Sequence, residues 1–218
     1  MSADNHDPVS EEAQLAIAHS PARLRIPLTI FLELDARIAR IIAATNEPML
    51  GQMRLAWWRD TLKQPVAERP QGDRVLDAIG QHWSGQETAL IALIDGWEEM
   101  LGEVLNREAA ERFAAGRAAP FAALPSLAGS TVEHQPALRA AQRWALVDAA
   151  LHVSEGSERS TLIELAQSVD ASAALPRAYR GLAVLNALAE RSLKRGVRPL
   201  MEGRGAALTA LRAAMLGR

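Results

Sequence analysis

The chain has 218 residues (23.6 kDa), 49% of them hydrophobic and 23% charged, with a formal net charge of -2. So much apolar content at so little net charge excludes a disordered chain and fits one globular domain with a sizeable core. With no cysteine, disulfides, thiolate metal sites and a cysteine nucleophile are excluded as well.

Ala (42) and Leu (29) dominate, whereas Val and Ile together total 20. That balance favours helix over a large sheet. Arg outnumbers Lys 22 to 2, which reads as genomic base composition rather than a nucleic-acid function. The first residues, MSADNHDPVSEEAQ, are acidic and polar, unlike a signal or transit peptide. No charge-free apolar run is long enough to span a membrane. Charge is uneven along the chain. Residues 171–218 hold nine Lys/Arg and two Glu, +7, which leaves -9 for residues 1–170. The basic end is either a solvated face or a surface for phosphate, anionic lipid or an acidic partner.

In chain order, Ser10 to Ser20 reads as a short helix stopped by Pro21. A long helix runs from Pro27 to about Asn46. The next starts at Pro48, a good first helical position, and reaches about Gln64. PVAERPQG is a loop, Asp73 caps a helix through Trp83, and Gln86 to about Leu105 follows. Asn106 to Gly116 is helical, and the proline-containing segment Ala118–Pro136 is expected to be mostly loop. Pro136–Ser154, Ser157–Gln167, Leu175–Gly196 and Gly205–Leu216 complete an all-α pattern with no internal repeat.

Helical periodicity places several charged groups where apolar ones belong. In Pro27–Asn46, Leu28, Phe31, Leu34, Ile38, Ile41 and Ile42 form one stripe. Asp35 falls inside it, while Glu33, Arg37 and Arg40 fall opposite, on the expected solvent face. A carboxylate in that stripe must be paired or hydrogen-bonded, because an isolated buried charge is very costly. The following helix has Leu50, Met53, Trp57, Trp58 and Thr61 on its expected inner face, with Arg54 among them. A short connection makes the two helices antiparallel neighbours, so Asp35 and Arg54 are expected partners. They form either a structural ion pair or part of a polar site.

Asp148 lies between Ala141, Trp144 and Leu151, with His152 one turn on at the stripe's edge. The two either share a hydrogen bond or metal, or Asp148 is simply a satisfied inward carboxylate. Asp95 and Glu99 lie off the Leu90–Ile94–Trp97–Leu101 stripe and read as solvated. Asp73 and Asp77 spell D-x-x-x-D, but read as a helix cap and a first-turn acid. There is no Walker A loop, no G-x-G-x-x-G after a strand, no H-E-x-x-H and no G-x-S-x-G. The His residues at 6, 19, 82, 134 and 152 are scattered.

The run EPMLGQMRLAWWRDTL (Glu47–Leu62), preceded by FLELDARIARII (Phe31–Ile42), resembles the squalene/phytoene synthase family. So does the later order of LIALIDGWEEML, WALVDAALHVS and a basic C-terminal stretch, from about Ser20 to Arg218. The resemblance implies an all-α, isoprenoid-synthase-like single-domain bundle around a central cavity. It also implies a division into a polar segment with a short helix, 1–20, and the helical domain, 21–218. Members join two isoprenyl diphosphates head to head. Paired D-x-x-x-D motifs hold Mg²⁺, since carboxylates one turn apart hold a hard cation against an anionic diphosphate.

This chain departs from that pattern. If Asp35 matches the first aspartate of the first motif, its partner position is Ala39; one residue later the pair is Ala36 and Arg40. Around the second motif stand Asp148 with His152, and Glu155 with Arg159. The pattern is similar to a divergent branch of the family that includes a complex I assembly factor. The resemblance therefore implies a protein that has lost Mg²⁺-dependent condensation and acts as a binding or assembly factor, with no cofactor. The alternative is an active prenyltransferase that uses Mg²⁺. In that reading Asp35 and Asp148 are the catalytic candidates, and Arg54, Trp57, Trp58 and His152 the substrate-binding ones. Expected partners are an isoprenyl diphosphate or other isoprenoid lipid, a protein, or a membrane surface met by the basic C-terminal region, but not nucleic acid. The expected location is cytoplasmic, including the inner face of the membrane.

Overall fold

The computed structural model describes residues 9–45 and 47–217. Residues 1–8 of the polar segment, with His6, and Asn46 and Arg218 lie outside the described residues. Ten α-helices and no strand occur among those described. They are α1 (Glu11–His19), α2 (Ala22–Ala43), α3 (Pro48–Lys63), α4 (Arg74–His82), α5 (Glu87–Glu98), α6 (Arg107–Leu127), α7 (Gln135–His152), α8 (Gly156–Ser168), α9 (Arg180–Lys194) and α10 (Gly205–Leu216). No helix among the described residues is long and apolar enough to cross a membrane.

The caps follow local chemistry. Ser10 accepts from the Ala13 amide, Asn106 from Ala109, and Asp73 from Val75 and Leu76, each satisfying first-turn donors that have no partner in the helix. Asp73 is thus the cap that its position suggests. The PVAERPQG loop contains a short 3₁₀ turn, Val66–Glu68. Helix α2 starts before Pro27, at Ala22, and carries that proline in its second turn.

The segment after Gly116 departs most from the sequence reading. Helix α6 continues to Leu127 with Pro120 and Pro125 inside it, where a loop was expected. Tertiary packing outweighs the proline penalty. Both prolines are buried, along with Phe121, Ala123 and Leu124. Just before them, α6 crosses α5 at two glycines. A Cβ on Gly116 would lie 2.7 Å from the Gly96 Cα, so only glycine allows the backbones this close.

Helices α5, α6, α7 and α8 pack in sequence, and α9 lies on α7 between α1 and α10. Helix α2 packs across α4, α5 and α6. Helix α3 rests mainly on α5 rather than on α2, with Gly51, Leu55, Trp58 and Leu62 inward. Edge-to-face rings run through the centre: Trp83 to Phe31 at 6.4 Å, Phe31 to Phe121 at 5.0 Å, and Phe121 to Trp144 at 5.8 Å.

The expected solvent face of α2 is partly covered as well. Glu33 is buried and meets Arg74 at 2.6 Å, because α4 packs over that side. Arg37 pairs with Asp73 at 2.5 Å and lies over the Trp58 ring. Asp95 is exposed as expected and pairs with Arg59, whereas Glu99 is half-buried and pairs with Arg112.

Candidate functional site

Asp35 is 5% exposed, in the middle of the apolar face of α2. Its partner is Arg117 of α6, not Arg54. The Arg117 Nε donates to Oδ1 at 3.0 Å and Nη2 to Oδ2 at 2.7 Å, a two-pronged contact that matches guanidinium to carboxylate. The Trp97 indole N–H adds a third hydrogen bond to Oδ1, 2.7 Å long. Arg54 is exposed. Helix α3 is turned by about one residue of phase, ~100°, from the expected orientation, which carries Arg54 out to solvent.

Arg117 also reaches the second candidate acid. Its Nη1 donates to Asp148 Oδ2 at 2.8 Å and to the Ala145 carbonyl at 3.4 Å. One guanidinium therefore bridges the carboxylates of α2 and α7. Its carbon lies 4.4 Å from the centroid of a Trp144 ring and 4.9 Å from that of Trp97, with Phe113 at 5.6 Å. These π faces attract a cation. Burial by itself pulls the guanidinium down, but Asp35 and Asp148 more than compensate and raise it above its ordinary value. It stays charged, and the buried cluster holds one cation against two anions.

The other candidates lie apart from this cluster. His152 is exposed, and its Nδ1 stands 3.9 Å from Asp148 Oδ1, beyond hydrogen-bond reach. It instead lies 2.8 Å from the Asp148 carbonyl oxygen, one turn back in α7. Trp57 is 46% exposed and meets Trp58 edge-on at 5.2 Å, while Trp58 is buried. The aromatic wall beside the acids is made by Trp97 and Trp144. A cleft of about 320 Å³ opens at the outer edge of Asp148, lined also by Glu11, Glu12, Leu151, His152 and Leu200.

As arranged, these residues do not fit Mg²⁺. Both oxygens of Asp35 accept from Trp97 and Arg117, and a cationic side chain stands between the two carboxylates. No group of three or more His, Asp or Glu among the described residues is placed to hold a metal ion. What the arrangement does is lock α2, α6 and α7 in register through a nearly sealed ion cluster.

Sequence reasoning missed Arg117, although the signal was present. Ala110, Phe113, Ala114, Arg117, Phe121 and Leu124 follow helical spacing, with Arg117 in mid-stripe. Ending the helix at Gly116 hid it.

The fold is all-α, of the isoprenoid-synthase-like kind. Residues 7–124, just over half of the chain, match the squalene/phytoene synthase family, and the chain belongs to that family. The match spans α1 to most of α6, including Asp35, the R-L-x-W-W-R block and Arg117. No curated protein and no solved structure matches the chain.

Proposed function

We propose that this squalene/phytoene synthase-like protein has lost Mg²⁺-dependent prenyl diphosphate condensation and acts as a binding or assembly factor. The observation that carries this reading is Arg117. It lies between Asp35 and Asp148, within 3.0 Å of each, on the acids that the family resemblance assigns to diphosphate-bound metal. Condensation needs those carboxylates to hold a cation that faces substrate. An internal guanidinium supplies the positive charge without an open coordination position, and supports the fold instead. The broken motif spacing, with Ala39 one turn after Asp35 and His152 one turn after Asp148, points the same way. So does the likeness to the family's divergent assembly-factor branch.

Calorimetry with a non-hydrolysable farnesyl diphosphate analogue, with and without Mg²⁺, tests the reading. The expected result is no saturable Mg²⁺-dependent binding. Saturable binding that needs Mg²⁺ would overturn it and return the chain to the active head-to-head prenyltransferases, with the cleft beside Asp148 as the place to look for substrate.

A further inference from the structure

Helix α10 has its side chains in an unusual order of size. Alanines face the protein: Ala206, Ala210, Ala213 and Ala214 are buried against the body of the fold. The bulky residues face away. Leu208, Leu211, Met215 and Leu216 are between 50 and 69% exposed. Their spacing of three, four and one puts them on a single side of the helix, opposite the alanines. An exposed apolar stripe this long on a well-anchored helix is not frayed core. Gly217 closes the helix in the left-handed conformation (φ 76°), and its amide donates to the Ala213 carbonyl. Its own carbonyl accepts from the Leu175 amide at 2.8 Å, and Arg180 donates to the Ala214 and Met215 carbonyls.

The exposed charges of α10 itself have one sign. Helix α10 carries no acid. Arg204 at its N-terminal edge and Arg212 in its middle are exposed, on the same side as the leucines. Arg198, in the connection from α9, is exposed too, while Arg195 beside it pairs with Glu202 at 3.5 Å. A helix with aliphatic residues on its outer side and arginines interspersed and no counter-charge has the composition of one that lies flat in a lipid headgroup layer. A second copy fits less well, because a two-fold contact through α10 would set Arg204 and Arg212 on like charges. The face also lacks the aromatic anchors common in protein interfaces.

We propose that α10 docks the protein on an anionic lipid surface, with Leu208, Leu211, Met215 and Leu216 in the acyl boundary and Arg204 and Arg212 on the headgroup phosphates. This deepens the binding-factor reading by giving it a surface, and it rests on that reading for its purpose but not for its test. Vesicle binding is read without diphosphate or Mg²⁺, so either proposal can fail alone.

The experiment is flotation of the full chain with vesicles of phosphatidylcholine alone and of phosphatidylcholine mixed with phosphatidylglycerol. The chain is expected to float with the mixed vesicles, and less so as salt rises. The double variant Leu208→Glu/Met215→Glu is expected to stay at the bottom of the gradient with an unchanged circular dichroism spectrum, since those side chains leave the core untouched. Should that variant misfold, Arg204→Gln and Arg212→Gln keep the test open, each expected to weaken partitioning about fivefold. No binding of the unmodified chain to mixed vesicles overturns the proposal, as does undiminished binding by the glutamate or glutamine variants. A dimer dissolved by Leu208→Glu, with no vesicle binding, overturns it in favour of a second copy.

Discussion

Asp35 and Arg117 stand 82 residues apart in the chain and meet through two hydrogen bonds, 3.0 and 2.7 Å long, between α2 and α6. Neither group is reached by much solvent, so Asp35 takes from Arg117 and Trp97 the hydrogen bonds that water would otherwise supply. Arg117→Ala would leave Asp35 buried with one neutral donor, Trp97, and is expected to cost about 3–5 kcal/mol. Asp35→Ala should cost less, because Arg117 keeps its hydrogen bond to Asp148. The double variant Asp35→Ala/Arg117→Ala removes both charges together and should cost less than the sum of the single changes. Urea unfolding of the four proteins measures this. A loss below about 1 kcal/mol for Arg117→Ala would show that the pair does not hold the helices.

The approach of α5 to α6 sets where Arg117 sits, one residue after the crossing. Gly116→Ala would put a methyl group 2.7 Å from the Gly96 Cα and 2.9 Å from its amide nitrogen. These are backbone atoms, so the helices must separate. The expected cost is about 1–3 kcal/mol. Gly156→Ala, at the first position of α8 with nothing within 4 Å, is the control. It should leave stability unchanged or raise it by about 0.4–1 kcal/mol. Thermal melts of the two variants side by side decide the matter.

Tyr179, the single tyrosine, is buried with no hydrogen-bond partner for its hydroxyl among the described residues, and burial pushes it up to about 12 from an ordinary value of 10. Folding favours the neutral phenol. The stability that this contributes is complete below pH 10 and is lost as pH rises from 10 towards 12. Tyr179→Phe has nothing to ionise, so its stability should fall less over that window. At neutral pH it should be as stable as the parent, or more so by about 1 kcal/mol, because no hydroxyl is desolvated without a partner. Denaturant unfolding at neutral and alkaline pH checks both. An equal alkaline loss in the two proteins would dismiss the tyrosine as its source.

The adjacent tryptophans of α3 should behave very differently. Trp58 is buried beneath Arg37, and Trp58→Ala is expected to cost about 3–5 kcal/mol. Trp57 and Arg54 face outward, so Trp57→Ala and Arg54→Ala should each stay within about 0.5 kcal/mol of the parent. Chemical denaturation gives the ranking. A large loss for Arg54→Ala would place it back in a buried pair.

Helix content was legible because composition and period act locally. The caps at Ser10, Asp73 and Asn106 and the start of α3 at Pro48 are set by side chains within a few residues of the backbone groups they serve. The inward place of Asp35 was legible too, since periodicity assigns faces. The continuation of α6 past Gly116 was not, because it rests on distant packing. The α5 contact and the burial of Phe121 and Leu124 outweigh what Pro120 and Pro125 lose locally.

The sequence by itself determined that the chain is helical, that it belongs among proteins sharing the R-L-x-W-W-R block, and that Asp35 needs a partner inside the core. Only the tertiary structure decided which partner. Helix α3 and α6 each carry an arginine with an apolar neighbourhood in sequence. The rotation of α3 by about one residue exposes Arg54, while the glycine crossing brings Arg117 between two tryptophans and two carboxylates. Hydrophobic periodicity says which side of a helix is buried to within about one residue. The identity of a buried ion pair depends on that residue, and on contacts between segments that no local pattern records.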